Sequence, residues 1–142
     1  MMPAGEYYIG DLCYVMTSEE WLEVCDLTIQ DSRLIEGEFQ LKDGRKFAMY
    51  STAYGDGTYY DHYGFSYSVD SGSIGCIRME DIKDNKNASL GDTQNLLDLG
   101  AIQKFDTDFV TGGGKGEPGW EGIIQFGHIS IETNPIEEEE YE

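Results

Sequence analysis

The sequence predicts an α+β fold, mainly an antiparallel β-sheet (a curved sheet or a small sandwich), with one short N-terminal helix and a weak second helix. Three observations carry this reading. Short segments rich in Tyr, Phe, Ile and Val recur along the chain and suit strands. Gly, Asp and Asn punctuate them at turn spacings, so consecutive strands run antiparallel. Only one stretch joins a helix-start signal to helical apolar spacing.

In order, Glu6 to Ile9 is a short aromatic strand between Gly5 and Gly10, and Cys13 to Met16 is a second. Thr17 fits a helix N-cap, and Glu20 three residues on completes a capping-box pattern. Glu19, Glu20 and Glu23 place negative charge near the positive end of the helix dipole. Trp21, Leu22, Cys25 and Ile29 supply an apolar face, so the helix runs from about Ser18 to Leu27. Glu36 to Leu41 and Lys46 to Tyr50 then form a hairpin about Asp43-Gly44, a type I′ turn. A glycine-rich loop at Ala53–Gly57 leads to strands at Thr58–Asp61, Phe65–Val69 and Ile74–Arg78, with turns at Gly64 and Asp70-Ser71-Gly72.

Asp81 to Gly91 is polar and reads as a loop with a helical turn; Thr93 to Leu99 is the weak helix. Ala101 to Val110 reads as one long strand. Thr111 to Gly119 is a flexible Gly-rich loop. Trp120 to Thr133 is the final strand, with Gly122 and Gly127 as bulge or bend sites. Residues 1–134 form one globular domain, and 135–142 an acidic tail around Tyr141.

The charge excludes more than it assigns. The chain has 142 residues, 28 acidic and 9 basic, for a formal net charge of −19. With 39% hydrophobic and 13% aromatic residues it is too apolar for a disordered acidic chain. No apolar run approaches the ~18 residues of a membrane span. Phosphates would be repelled, which argues against direct nucleic-acid binding. Three cysteines do not read as a disulfide framework, and no signal peptide opens the chain, so the expected compartment is the cytoplasm.

Ile9-Gly10-Asp11-Leu12-Cys13-Tyr14, Tyr54-Gly55-Asp56-Gly57-Thr58-Tyr59 and Val69-Asp70-Ser71-Gly72-Ser73-Ile74-Gly75 form a set of linked segments. In these the chain resembles a group of uncharacterised bacterial and phage proteins with I-G-D-x-C-Y, Y-G-D-G-x-Y and V-D-x-G-x-I-G segments. The resemblance covers roughly the first eighty residues, with a weaker echo at Phe126–Ile129 and Ile131–Thr133. It implies a small β-rich domain of phage type and a host-cytoplasm location. It implies no activity.

Each candidate site has a simpler competitor. Gly55-Asp56-Gly57 with Asp61 suggests calcium but lacks the alternating acids of an EF-hand loop, so a tight turn explains it better. Cys13, Cys76, His62 and His128 lack the close pairs of a zinc site. Cys13 as a nucleophile would need His62 or His128 as its base. Thr111–Gly116 has Gly116 where a phosphate loop needs Ser or Thr. Asp106 and Asp108 share one strand face, as solvated acids commonly do. The tyrosines of the first half suit either strands or an interface.

Acidity remains. Without the five tail glutamates the body keeps 23 acids against 9 bases, a net of −14. The chain is therefore expected to bind a basic surface of a host protein as a DNA mimic, an inhibitor of host defence or DNA metabolism without catalysis or cofactor. Glu19, Glu20, Glu23 and Asp26 are the expected contact face, and Glu137, Glu138, Glu139 and Glu140 add long-range attraction. Two alternatives stand beside it. One is a small enzyme or a ligand- or metal-binding domain around Asp11, Cys13, Asp56 and Asp61; the other is an assembly protein forming homo-oligomers.

Overall fold

The computed structural model describes residues 1–16, 18–30, 33–52, 57–82, 100–113 and 123–133. Its elements are β1 (Gly5–Gly10), α1 (Ser18–Thr28), β2 (Ile29–Gln30), β3 (Arg33–Leu34), β4 (Gly37–Gln40), β5 (Lys46–Ser51) and β6 (Gly57–Asp61). They continue with β7 (Ser66–Val69), β8 (Ser73–Arg78), β9 (Ala101–Phe105), β10 (Thr111–Gly113), β11 (Ile123–Phe126) and β12 (Ile129–Glu132). Short 3-10 turns follow β1 at Leu12–Tyr14 and β8 at Met79–Asp81.

Two five-stranded antiparallel sheets result. One has the order β4-β5-β8-β1-β9, the other β10-β11-β12-β6-β7. The first, the central sheet, is covered on both faces. Phe39, Phe47, Ile77, Tyr8 and Ile102 stand opposite one another in one row across its five strands. That row packs with Leu12, Val15 and Met16 and with Trp21, Val24 and Leu27 of α1. One residue along, Ala48, Cys76, Ile9 and Ala101 form a row on the opposite face. Three of these side chains are small, which leaves room for Phe126, Ile124, Ile131, Tyr59 and Tyr67 of the second, outer sheet. The layers are therefore helix, central sheet, outer sheet.

A tight approach fixes the helix-side layer. Gly75 sits in β8 where a Cβ would collide with the Ala48 carbonyl oxygen and the Leu12 side chain. Glycine there lets the Leu12–Tyr14 turn lie directly on the sheet.

Several sequence expectations need correction. Cys13–Met16 is not a strand: Leu12–Tyr14 is a 3-10 turn, because the Asp11 carboxylate accepts the Cys13 N–H at 3.0 Å and caps it. The hairpin turn is longer than a two-residue type I′ turn. Gly44 N–H donates to Leu41 O (2.9 Å) and Leu41 N–H to Arg45 O (2.8 Å), closing the loop over Lys42-Asp43-Gly44 with Gly44 at φ 99. Ala101–Val110 is not one strand. β9 ends at Phe105, the chain bends, and Phe109 folds back to stack on Phe105 at 3.9 Å, so β10 joins the other sheet. The final segment holds two strands, hinged at Gly127 with φ 58. The short pair β2–β3 had no sequence signal.

The helix face is also rotated from the expected one. Val24 and Thr28 are fully buried and Trp21 and Leu27 partly, whereas Leu22 and Ile29 are exposed. Positions 21, 24 and 28 align at helical spacing. Thr28 is tolerated there because its Oγ1 donates to Val24 O at 2.7 Å. Thr17, the weak helix at Thr93–Leu99, the greater part of the Asp81–Gly91 loop, Asp56 and the tail 135–142 lie outside the described residues.

Candidate functional site

The solvent side of α1 is built from a split among its acids. Glu20 faces the β4–β5 turn, where its carboxylate meets the Arg45 guanidinium at 2.9 Å. Arg45 also pairs with Asp43 at 2.9 Å and donates to Asp81 O at 2.9 Å. Burial alone would lower its pKa, but hydrogen bonds and charge from Asp43 and Glu20 outweigh this and raise it. Glu23 turns to the same place and accepts the Lys42 N–H at 2.7 Å. Two of the four acids expected on a contact face thus fasten the helix to the hairpin.

Glu19 and Asp26 are exposed. Between them, at i+3 from Glu19 and i−4 from Asp26, Leu22 is 65% exposed. Ile29, just beyond the helix, is 49% exposed. The exposed Ile35 is held at the helix end by its N–H, which donates to Thr28 O at 2.6 Å. An apolar strip edged by carboxylates therefore runs along the outermost layer. Sequence reasoning assigned Leu22 to the core. The signal that relocates it is its spacing from Glu19 and Asp26, which puts all three on one stripe.

Of the alternative group, Asp11 with Cys13 lies at one turn and Asp61 at another, and Asp56 lies outside the described residues. Asp11 is fully buried, and its carboxylate accepts from Cys13 N (3.0 Å), Asp70 N (2.7 Å), Ser71 N (2.6 Å) and Ser71 Oγ (2.9 Å). It ties the end of β1 to the β7–β8 turn. Asp61 accepts Tyr63 N (2.8 Å), Phe65 N (3.0 Å) and Tyr67 OH (2.6 Å) at the other end of β7. The length of that strand, about 13 Å, separates the two turns. Cys13 donates its backbone N–H to Asp11.

The other two thiols are muted. Burial holds the Cys76 thiol well above its ordinary pKa, and burial with the Asp26 charge raises Cys25. Both histidines neighbour one ring: Tyr63 is 4.2 Å from His62 and 6.2 Å from His128, centroid to centroid. Among the described residues no three His, Cys, Asp or Glu side chains gather as a metal site would require. Nor is any helix among them long and apolar enough to cross a membrane.

The tyrosines divide between the two expected roles. Tyr7, Tyr8, Tyr50, Tyr59 and Tyr67 are core residues, whereas Tyr60 and Tyr63 are exposed. No family model, no curated protein and no solved structure matches the chain.

Proposed function

We propose that the chain is a protein-binding module that docks the outer stripe of α1 onto a basic surface of a partner. Leu22, with Ile29 beside it, is the apolar anchor, and Glu19 and Asp26 are the charged rim. One observation carries this reading: a large aliphatic side chain is 65% exposed between two exposed carboxylates. Interfaces commonly combine a desolvated apolar centre with a polar rim, and rim charges select the partner and speed encounter. The net charge of −19 makes a cationic partner the natural complement.

Carboxylates displayed on a rigid layer can stand where phosphates would stand, so the partner class is a nucleic-acid-binding protein whose basic channel is occupied. On this reading the partner is a host enzyme or defence complex, and the outcome of occupying its channel is inhibition. Glu137–Glu140 add attraction at long range, which salt screens.

The test is capture from bacterial lysate on immobilised protein at low and high salt. A nucleic-acid-binding protein should be retained at low salt and released by salt or by added duplex DNA. The variant Glu19→Gln/Leu22→Ser/Asp26→Asn should fold but retain none. Recovery of no such protein under either condition would refute the reading.

A further inference from the structure

The outer sheet presents a face of a different kind. Among the described residues its outward positions include Thr58, Tyr60, Ser66, Ser68, Gln125 and Ser130, all uncharged, with one aliphatic side chain, Ile123, at the start of β11. Strand register groups them: Thr58 is opposite Ser68, Tyr60 opposite Ser66, and Gln125 opposite Ser130. The only acid in these outward rows is Glu132, opposite Tyr60. In a chain with 28 acids, four neighbouring strands thus place hydroxyls, an amide, one aliphatic side chain and one carboxylate on a common plane. Tyr60 stands near its middle with its ring 58% exposed. Tyr63 and Phe65, 58% and 50% exposed, follow at the end of the same hairpin.

From this arrangement we infer that the outer face of the second sheet binds a neutral glycan. The chemistry on each side corresponds. A sugar ring offers an apolar C–H face, which stacks on an aromatic ring, and a rim of hydroxyls, which both donate and accept. Tyr60 supplies the first partner; Ser66, Ser68, Ser130, Gln125 and the acceptor Glu132 supply the second. The four strands β7, β6, β12 and β11 span about 14 Å, room for about two or three sugar rings. A basic protein would find one charge here. A nucleic acid would meet no cation among these side chains.

Affinity electrophoresis suits so acidic a chain, which migrates fast in native gels. The protein would be run through gels containing hydroxyethyl cellulose, mannan or dextran, at low and at high salt. At least one polysaccharide should retard the wild type, and salt should leave the retardation unchanged because the ligand is neutral. Tyr60→Ala should weaken it about tenfold, the scale of losing one aromatic contact. Tyr60→Phe should keep most of it, and Glu19→Gln/Asp26→Asn should keep all of it, which separates this face from the helix stripe. Absence of retardation in all three gels overturns the inference, as does retardation abolished by salt or unaffected by Tyr60→Ala in a folded variant. Self-association lost in Tyr60→Ala, with no retardation in any gel, overturns it in favour of a homo-oligomer face.

Discussion

In β8 five consecutive residues, Ser73–Ile77, are buried, whereas in β12 the buried Ile129 and Ile131 alternate with Ser130 and Glu132. Both strands belong to antiparallel sheets of five strands. Their surroundings differ: α1 and its flanking turns lie on one face of the central sheet and the outer sheet lies on the other, while among the described residues nothing covers the far face of the outer sheet. Apolar alternation is thus a property of a strand covered on one side. A strand covered on both sides loses it while remaining antiparallel. β1 shows the consequence most plainly. Tyr7 and Tyr8 are adjacent and both fully buried, each in a different core.

Substitution of core residues breaks this comparison most forcefully. Ile9 faces the outer sheet and Ile77 faces α1, so Ile9→Ala and Ile77→Ala should each cost about 2–5 kcal/mol. In β12, Ile131→Ala should cost a similar amount, but Ser130→Ala should stay within about 0.5 kcal/mol. Urea titrations of the four variants measure this. A near-neutral Ile77→Ala would mean that the helix does not cover the central sheet.

Next in size is the fastening between the sheets. Asp11 follows β1 of the central sheet and accepts hydrogen bonds from residues that lead out of β7 of the outer sheet. Asp11→Ala leaves those donors unpaired and should cost about 1–3 kcal/mol. Glu20→Ala should cost about 1 kcal/mol through the lost pair with Arg45, more than Glu19→Ala, whose side chain is exposed.

Two smaller effects concern the charge. Added salt should raise the Tm, because screening repulsion among 28 acids outweighs weakening the few ion pairs. Asp81 gives a pH-dependent counterpart. Burial first, then the Glu80 charge, raise its carboxyl above the usual range in the fold. A raised acid costs stability above its unfolded pKa, since the charged form is disfavoured when folded. Asp81→Asn should therefore raise the urea midpoint at neutral pH, and the gain should vanish as the pH falls to about 3.9.

The sequence made the strands legible where turn chemistry bounded them. The hairpin about Asp43-Gly44, the strands on either side of Gly64 and the helix from Ser18 lie within a residue or two of expectation. Failures occurred where a tertiary contact decided. The Asp11 cap on the Cys13 N–H is local, but the bonds from Asp70 and Ser71 that hold this carboxylate in place come from far along the chain, where no pattern around Leu12–Tyr14 shows them. The Phe105–Phe109 stack that breaks the long strand depends on packing rather than pattern. Of the acidic stripe, Glu19 and Asp26 could be read as exposed. The diversion of Glu20 and Glu23 to the hairpin required knowing where Arg45 and Lys42 stand.

The position of β1 also has a consequence for synthesis. β1 leaves the ribosome well before β8 and β9, the two strands that flank it in the finished sheet. At roughly 5–20 residues per second it waits several seconds for its first neighbour. During that interval Tyr7, Tyr8 and Ile9 are exposed together, with both strand edges open. Such non-local pairing favours slow folding. Until β8 follows, the surplus of negative charge is what keeps neighbouring copies of this strand apart.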